Sequence, residues 1–181
     1  MKKEITEKIN VPEDVNVEIN GNSIIASSGS NKLEKNFYFP NVGITKNGNQ
    51  VILNAKNGTK VEKRMIGSFG AIIKNMVNGV KSNYIYKIMA CSSHFPMNIT
   101  VDKKEIVIKN FLGEKVPRKA NIIDGVNVSI EGNIINVKGI DKEMVGMMAG
   151  KIELLTKIKG RDRRIFQDGC YIIDKAGKLI K

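Results

Sequence analysis

The chain has 181 residues, with 30 Lys and Arg against 18 Asp and Glu, a formal net charge of +12. A hydrophobic share of 41% is too high for a disordered chain, and that much like charge repels itself until a polyanion neutralises it. The opening MKKEITEKINVPED lacks the apolar stretch of a signal peptide, the apolar runs are too short to cross a bilayer, and no long cationic helix carries a bulky apolar face.

From the N-terminus, Val17-Glu18-Ile19 leads through a Gly-Asn turn to Ile24-Ile25, the alternation of a β-hairpin. A second hairpin runs from Ile44 to Leu53 through Asn47-Gly48-Asn49. Between Glu62 and Met76, the residues Met65, Phe69, Ile72, Ile73 and Met76 recur at three- and four-residue steps, which predicts a helix with one face on a sheet. Asn78-Gly79 supplies its stop. Tyr84 to Cys91 then reads as a strand following that helix.

The same order returns in the second half. Ile99-Thr100-Val101 turns at Asp102-Lys103-Lys104 into Ile106-Val107-Ile108, and Val126 to Val137 turns at Glu131-Gly132-Asn133. Asp141 caps a helix whose apolar residues include Val145, Met148, Ile152 and Leu155. Cys170 to Ile173 reads as the strand after it. Hairpin, hairpin, helix thus occurs twice, and repetition of the whole order indicates duplication. The expected fold is α+β: two duplicated domains, residues 1–82 and 83–181, each with antiparallel β-sheets and one α-helix packed around a single core. Gly67, Gly70, Gly146 and Gly150 weaken the helices, and their expected use is close approach of helix to sheet.

Catalytic chemistry is hard to assemble from these residues. Cys91 and Cys170 read as free, buried or half-buried thiols, and one His with no CxxC pair gives no zinc site. His94, the one histidine, sits in Ser92-Ser93-His94-Phe95-Pro96, with no orienting acid nearby in the sequence, so it reads as a turn residue at a strand edge. Neither GxxxxGK[ST] nor GxGxxG occurs, and Asp141-Lys142-Glu143 lacks the partner carboxylates of a cation site. Met144, Met147 and Met148 have the spacing of core residues. No catalytic residue, metal, cofactor or small-molecule substrate is expected.

What remains is basic. Lys151, Lys157, Lys159, Arg161, Arg163 and Arg164 crowd the end of the second helix and the loop beyond, and Lys175, Lys178 and Lys181 follow a short strand. Cations at a helix C-terminus suit its dipole, but the run continues past Gly160. Arg offers a planar fork matched to phosphate. A second stretch, Lys115-Val116-Pro117-Arg118-Lys119, lies between strands. Phe166 and Tyr171 either stack on unpaired bases or lie beneath the loop. These residues do not separate RNA from DNA.

Four stretches resemble a known family, the sixth universally conserved protein of the large ribosomal subunit in its archaeal and eukaryotic branch. They are Ser93-His94-Phe95-Pro96-Met97-Asn98, Ile108-Lys109-Asn110-Phe111-Leu112-Gly113-Glu114-Lys115, Glu131-Gly132-Asn133, and Arg161-Asp162-Arg163-Arg164-Ile165-Phe166-Gln167-Asp168-Gly169-Cys170-Tyr171. The signature positions are Ile158, Arg161, Arg164, Phe166, Asp168, Gly169, Tyr171 and Lys175. Leu154 stands where that signature usually has Gln, Cys170 where it has a larger aliphatic residue, and Gly29-Ser30-Asn31-Lys32 is a shorter turn without the usual Gly-Pro.

The resemblance implies a structural constituent of the cytoplasmic large subunit that supports assembly and translation and performs no catalysis. Its second domain would bind 23S-type rRNA near the sarcin–ricin loop and the base of the factor-binding stalk. Neighbouring large-subunit proteins and passing translational GTPases would be its other partners. The expected RNA contacts are Lys157, Lys159, Arg161, Arg163, Arg164, Lys175, Lys178, Lys115, Arg118 and Lys119, with Phe166, Asp168, Gly169 and Tyr171 supporting the turn. A free-standing nucleic-acid-binding or chaperone-like module is the rival reading, and a hydrolase built on Cys91 or His94 is a remote third.

Overall fold

Two-residue turns set the frame of both halves. Asn47 pairs with Gln50 and Glu131 with Ile134, so Gly48 and Gly132 occupy the first central position of their turns, at φ of 55° and 60°. A positive φ there matches the turn to the twist of the strands, and only glycine adopts it without cost. The computed structural model describes residues 3–162 and 164–180. The chain divides into two compact units, Met1–Asn83 and Tyr84–Lys181.

In the first unit, β1 (Lys3–Asn10), β6 (Gln50–Gly58) and β5 (Gly43–Asn47) form one antiparallel sheet in that order. A second sheet has the order β2 (Asn16–Asn20), β3 (Ser23–Ser28), β4 (Asn31–Asn36). Helix α1 (Lys60–Lys81) packs against strands of both. Thr59 opens the helix with a capping box: its side chain accepts from Val61 N at 3.2 Å, and Glu62 Oε2 accepts from Thr59 N at 2.8 Å. Phe69, Ile73 and Met76 are buried, whereas Met65 and Ile72 are half-buried and Ile66 takes the fuller place.

Asn78-Gly79 does not end α1. Gly79 and Val80 are buried, so the apolar face continues, and the helix runs to Lys81 before Ser82 caps it by donating its N–H to Asn78 O at 2.8 Å. Asn31 Nδ2 donates to Val80 O at 3.1 Å and satisfies one of the last helical carbonyls. Of Gly67, Gly70, Gly146 and Gly150, Gly70 makes the expected close approach, since a Cβ there would meet the Glu7 carboxylate at 2.7–2.9 Å. Gly146 meets Tyr86 at ordinary contact distance, while Gly67 and Gly150 have open space around them and point away from the sheets.

The second unit repeats this plan and extends it. The sheet β8 (Asn98–Asp102), β9 (Glu105–Lys109), β10 (Arg118–Asn121) corresponds to β2, β3, β4. The hairpin β11 (Val126–Glu131) and β12 (Ile134–Gly139) corresponds to β5 and β6, and β7 (Tyr84–Cys91) pairs with β12 as β1 does with β6. Helix α2 (Lys142–Leu155) follows, capped by Asp141, which accepts from Glu143 N at 3.0 Å. The two strands read as following each helix are therefore not equivalent. Strand β7 opens the second repeat, whereas β13 (Gly169–Lys175) is added on the other side of β7 and ends in a short pairing with β14 (Lys178–Leu179).

Tyr86, Ile88, Ile135, Val137, Met148 and Ile152 lie in the core of this unit. Met148 is fully buried, but Met144 and Met147 turn outward, 38% and 58% exposed, against their reading as core residues. The cause is angular: the core face of α2 is taken by Val145, Met148, Ala149 and Ile152, and positions 144 and 147 fall beside it. Replacing Ile152 with Ala is expected to cost the second unit about 3 kcal/mol in urea denaturation. Met147→Ala should stay within about 0.5 kcal/mol of the parent.

Candidate nucleic-acid interface

Where α2 ends, the chain alternates. Lys157 and Lys159 are exposed and Ile158 is buried between them, so one apolar anchor turns two ammonium groups to solvent. Thr156 is itself buried, and its Oγ1 accepts from Cys170 N at 2.8 Å, tying the helix end to the start of β13. The free thiols fit their expected setting: Cys91 is half-buried, Cys170 is buried, and burial pushes the Cys170 thiol up to about 11.

The loop beyond Gly160 is organised by Asp162. Its carbonyl accepts from Phe166 N at 2.9 Å, and its carboxylate accepts from Arg164 N at 3.0 Å and from Arg164 Nη2 at 2.8 Å. The Arg164 side-chain hydrogen bonds hold the Asp162 carboxyl below its ordinary value. This pair is open to water, the Arg164 side chain being 90% exposed, so the guanidinium can exchange carboxylate for phosphate at little cost. Arg161 is exposed and stands over the Phe166 ring, 4.9 Å from its centroid, and Phe166 stacks on His94 at 4.8 Å and 23°. Arg163 lies outside the described residues.

Beneath this pile is a buried acid. Asp168, 1% exposed, accepts from Ser93 N at 2.5 Å, His94 N at 3.0 Å, Ser93 Oγ at 3.2 Å and His94 Nδ1 at 2.5 Å. Burial alone would raise its carboxyl; the hydrogen bonds from His94 and Ser93 outweigh that and bring it down to about 2. The acid that His94 lacks in the sequence is thus supplied from 74 residues away. The arrangement is not a nucleophile triad, in which the imidazole bridges acid and hydroxyl through its two different nitrogens. Here Ser93 Oγ and Asp168 converge on the same Nδ1, and the hydroxyl donates to the acid.

Gly169 and Tyr171 close the turn. The Tyr171 hydroxyl donates to Gln167 O at 3.1 Å, and a Cβ on Gly169 would sit 3.2 Å from the Tyr171 ring, a tight contact that glycine avoids. Arg118 and Lys119 belong to β10 and not to a loop between strands. Arg118 is turned to structural use: it forks onto Glu114 at 2.8 and 2.6 Å, donates through Nη1 to Leu155 O at 2.7 Å, and stands 4.2 Å from the Phe111 ring centroid. Its hydrogen bond holds the Glu114 carboxyl below its ordinary value. Lys119 faces Glu105 at 3.6 Å, and Lys115 is exposed.

The family model for ribosomal protein L6 matches residues 11–83 and again residues 95–169. The chain belongs to the ribosomal protein L6 family. Curated proteins described as large ribosomal subunit protein uL6 agree with it almost end to end. That of Methanococcus vannielii is 41% identical over 176 residues, covering 97% of both chains. That of Methanosarcina mazei is 42% identical over 97% of this chain and 100% of its own, and that of Methanosphaera stadtmanae 43% over 95% and 94%.

The two L6 matches coincide with the two structural repeats, apart from their opening strands β1 and β7 and nearly all of β13. Within this L6 domain, Lys157, Lys159, Arg161 and Arg164 lie on one loop, and Lys115 lies on the segment before Arg118. Lys175 and Lys178 pair with each other at the far end of β13, about 20 Å along the strand from Gly169. The residues missed in the sequence are Ser93 and His94, which hold the loop through Asp168, and Thr156, which holds it through Cys170 N. The available signal was Asp168, an acid kept inside a basic run.

A carboxyl held near 2 stabilises the fold above its ordinary value of 3.8, and that contribution is lost as pH falls toward 2. Asp168→Asn should therefore flatten the acid limb of the stability profile between about pH 4 and 2. Asp168→Ala, which strands four donors, should cost about 3 kcal/mol at neutral pH in thermal or urea unfolding.

Proposed function

We propose that the chain is a structural constituent of the large ribosomal subunit that binds 23S-type rRNA through its second domain, residues 83–181, with residues 1–82 as the first repeat domain. The observation that carries this is the loop Lys157–Arg164, which displays Lys157, Lys159, Arg161 and Arg164 to solvent from a rigid base. Displacing condensed counterions from RNA rewards such a cluster, and the buried Asp168 clamp holds it before RNA arrives. The relatives are described as large-subunit proteins, and ribosomal protein L6 is a family of structural components and not of enzymes.

In this reading Lys157, Lys159, Arg161, Arg163 and Arg164 meet phosphates first. Lys115 and Lys119 extend the surface, and Arg118 acts by holding the Glu114 segment to the end of α2. Lys175 and Lys178 would reach a separate stretch of backbone. The docking position is near the sarcin–ricin loop and the base of the factor-binding stalk, beside neighbouring large-subunit proteins and the translational GTPases, in the cytoplasm. The resemblance of residues 161–171 to the family signature supports that position. No membrane contact and no cofactor enter this reading.

Sucrose-gradient sedimentation in moderate salt tests it. The tagged protein should run with large subunits; migration with free protein would sink the ribosomal reading and favour a free-standing RNA-binding module. Changing Arg161, Arg163 and Arg164 together to Ala should weaken rRNA binding by at least tenfold and reduce the slope of affinity against salt by about two to three ions, with the melting temperature little altered. Unchanged binding would place the interface elsewhere.

A further inference from the structure

The second unit has an open groove of about 660 Å³, lined in part by Met89, Ser92, Ser93, Asn133, Gln167 and Tyr171, and none of the described loop cations lines it. Its volume falls in the range of small-ligand sites. We infer that this groove receives one unstacked nucleobase of the bound RNA, with Tyr171 as the stacking platform and Gln167 and Asn133 facing the base edges. The inference rests on the rRNA-binding reading of this domain and adds the chemistry of a second contact.

Tyr171 is the first reason. Tyr171 is 42% exposed, yet its ring orientation is set, because the hydroxyl donates to Gln167 O at 3.1 Å and the ring lies against Gly169. An aromatic ring held in place while still facing solvent loses little entropy when a base stacks on it. Strand register places Met89 directly opposite Tyr171, so thioether and ring share the outer face of the sheet.

Charge is the second reason. Among the described residues no carboxylate lines this groove, whose amides and hydroxyls can donate and accept at a base edge. Gln167 is three residues from Arg164 and its Nε2 donates to Arg164 O at 3.3 Å, so the groove adjoins the cationic loop. A strand whose phosphates meet that loop can turn a base into the groove. A smaller hollow of about 260 Å³ also touches Tyr171, but there Glu153, whose carboxylate accepts from Ile172 N at 3.4 Å, lies beside Lys157, and no side-chain amide lines it among the described residues.

The test uses the full chain and a 23S-type rRNA transcript. Ultraviolet irradiation of the complex should crosslink Tyr171 to a single nucleotide. Tyr171→Leu should weaken binding about tenfold with the salt slope unchanged, because no charge is lost, whereas Tyr171→Phe should keep most of the affinity. Wild-type affinity in Tyr171→Leu, or bound RNA with no crosslink at Tyr171, overturns the base groove and leaves the loop reading intact. If the parent protein does not bind the transcript, the rRNA reading itself fails and the groove assignment falls with it. Should Tyr171→Leu fail to fold, Gln167→Ala and Asn133→Ala decide: each should weaken binding several-fold, and parental affinity in both overturns the assignment.

Discussion

Asp168 is a carboxylate with 1% of its surface exposed, in a segment otherwise rich in Arg and Lys. Removing a charge from water is costly unless its lone pairs are met, and here four donors from Ser93 and His94 meet them. The consequence is geometric. One acid joins the segment leaving β7 to the loop entering β13, and fixes where the loop can present its arginines. Arg161, Phe166 and His94 then stack above it as a single pile. Breaking the clamp would leave the charges in place and remove their aim.

A second constraint acts at the other end of the loop. Helix α2 finishes with carbonyls that need partners, and Arg118 supplies one at Leu155 while holding Glu114 through its fork. Thr156 ties the next residue to Cys170. The loop therefore hangs between two anchors, a cationic one at the helix end and an anionic one at the start of β13. Between them Lys157, Lys159, Arg161 and Arg164 are exposed, interrupted by Asp162, Ile165 and Gln167. An arrangement with such rigid ends and a solvated middle has little ordering entropy left to lose on RNA, which is what a structural rRNA ligand needs.

Duplication explains what is shared between the units, and β13 what is not. Both units fold as an opening strand, a three-stranded sheet, a hairpin and a helix. Only the second continues with a strand on the free side of its opening strand, and that strand carries Gly169, Tyr171 and the exit of the basic loop. The difference between the repeats is thus the element that builds the candidate interface.

Hairpins, helices and their duplication were legible because each rests on short-range pattern: apolar alternation around Gly48 and Gly132, and apolar residues at three- and four-residue steps in α1 and α2. The family was legible in residues 161–171 for the same reason, that its signature is contiguous. Strands β1, β4 and β10 escaped notice, since Lys3–Asn10, Asn31–Asn36 and Arg118–Asn121 are largely polar and are strands only because a neighbour pairs with them. Spacing alone puts Met144 and Met147 in the core, because it locates a helix but not the edge of its buried face. Arg118 and Lys119 have the composition of a surface patch; only contact with Glu114, Leu155 and Glu105 separates structural from free cations. The sequence by itself determined charge, repeat and turn chemistry, all properties of neighbouring residues. Tertiary structure alone decided that Asp168 would find His94 across 74 residues and that Tyr171 would stay exposed, because those outcomes depend on which distant segments share a low-dielectric space.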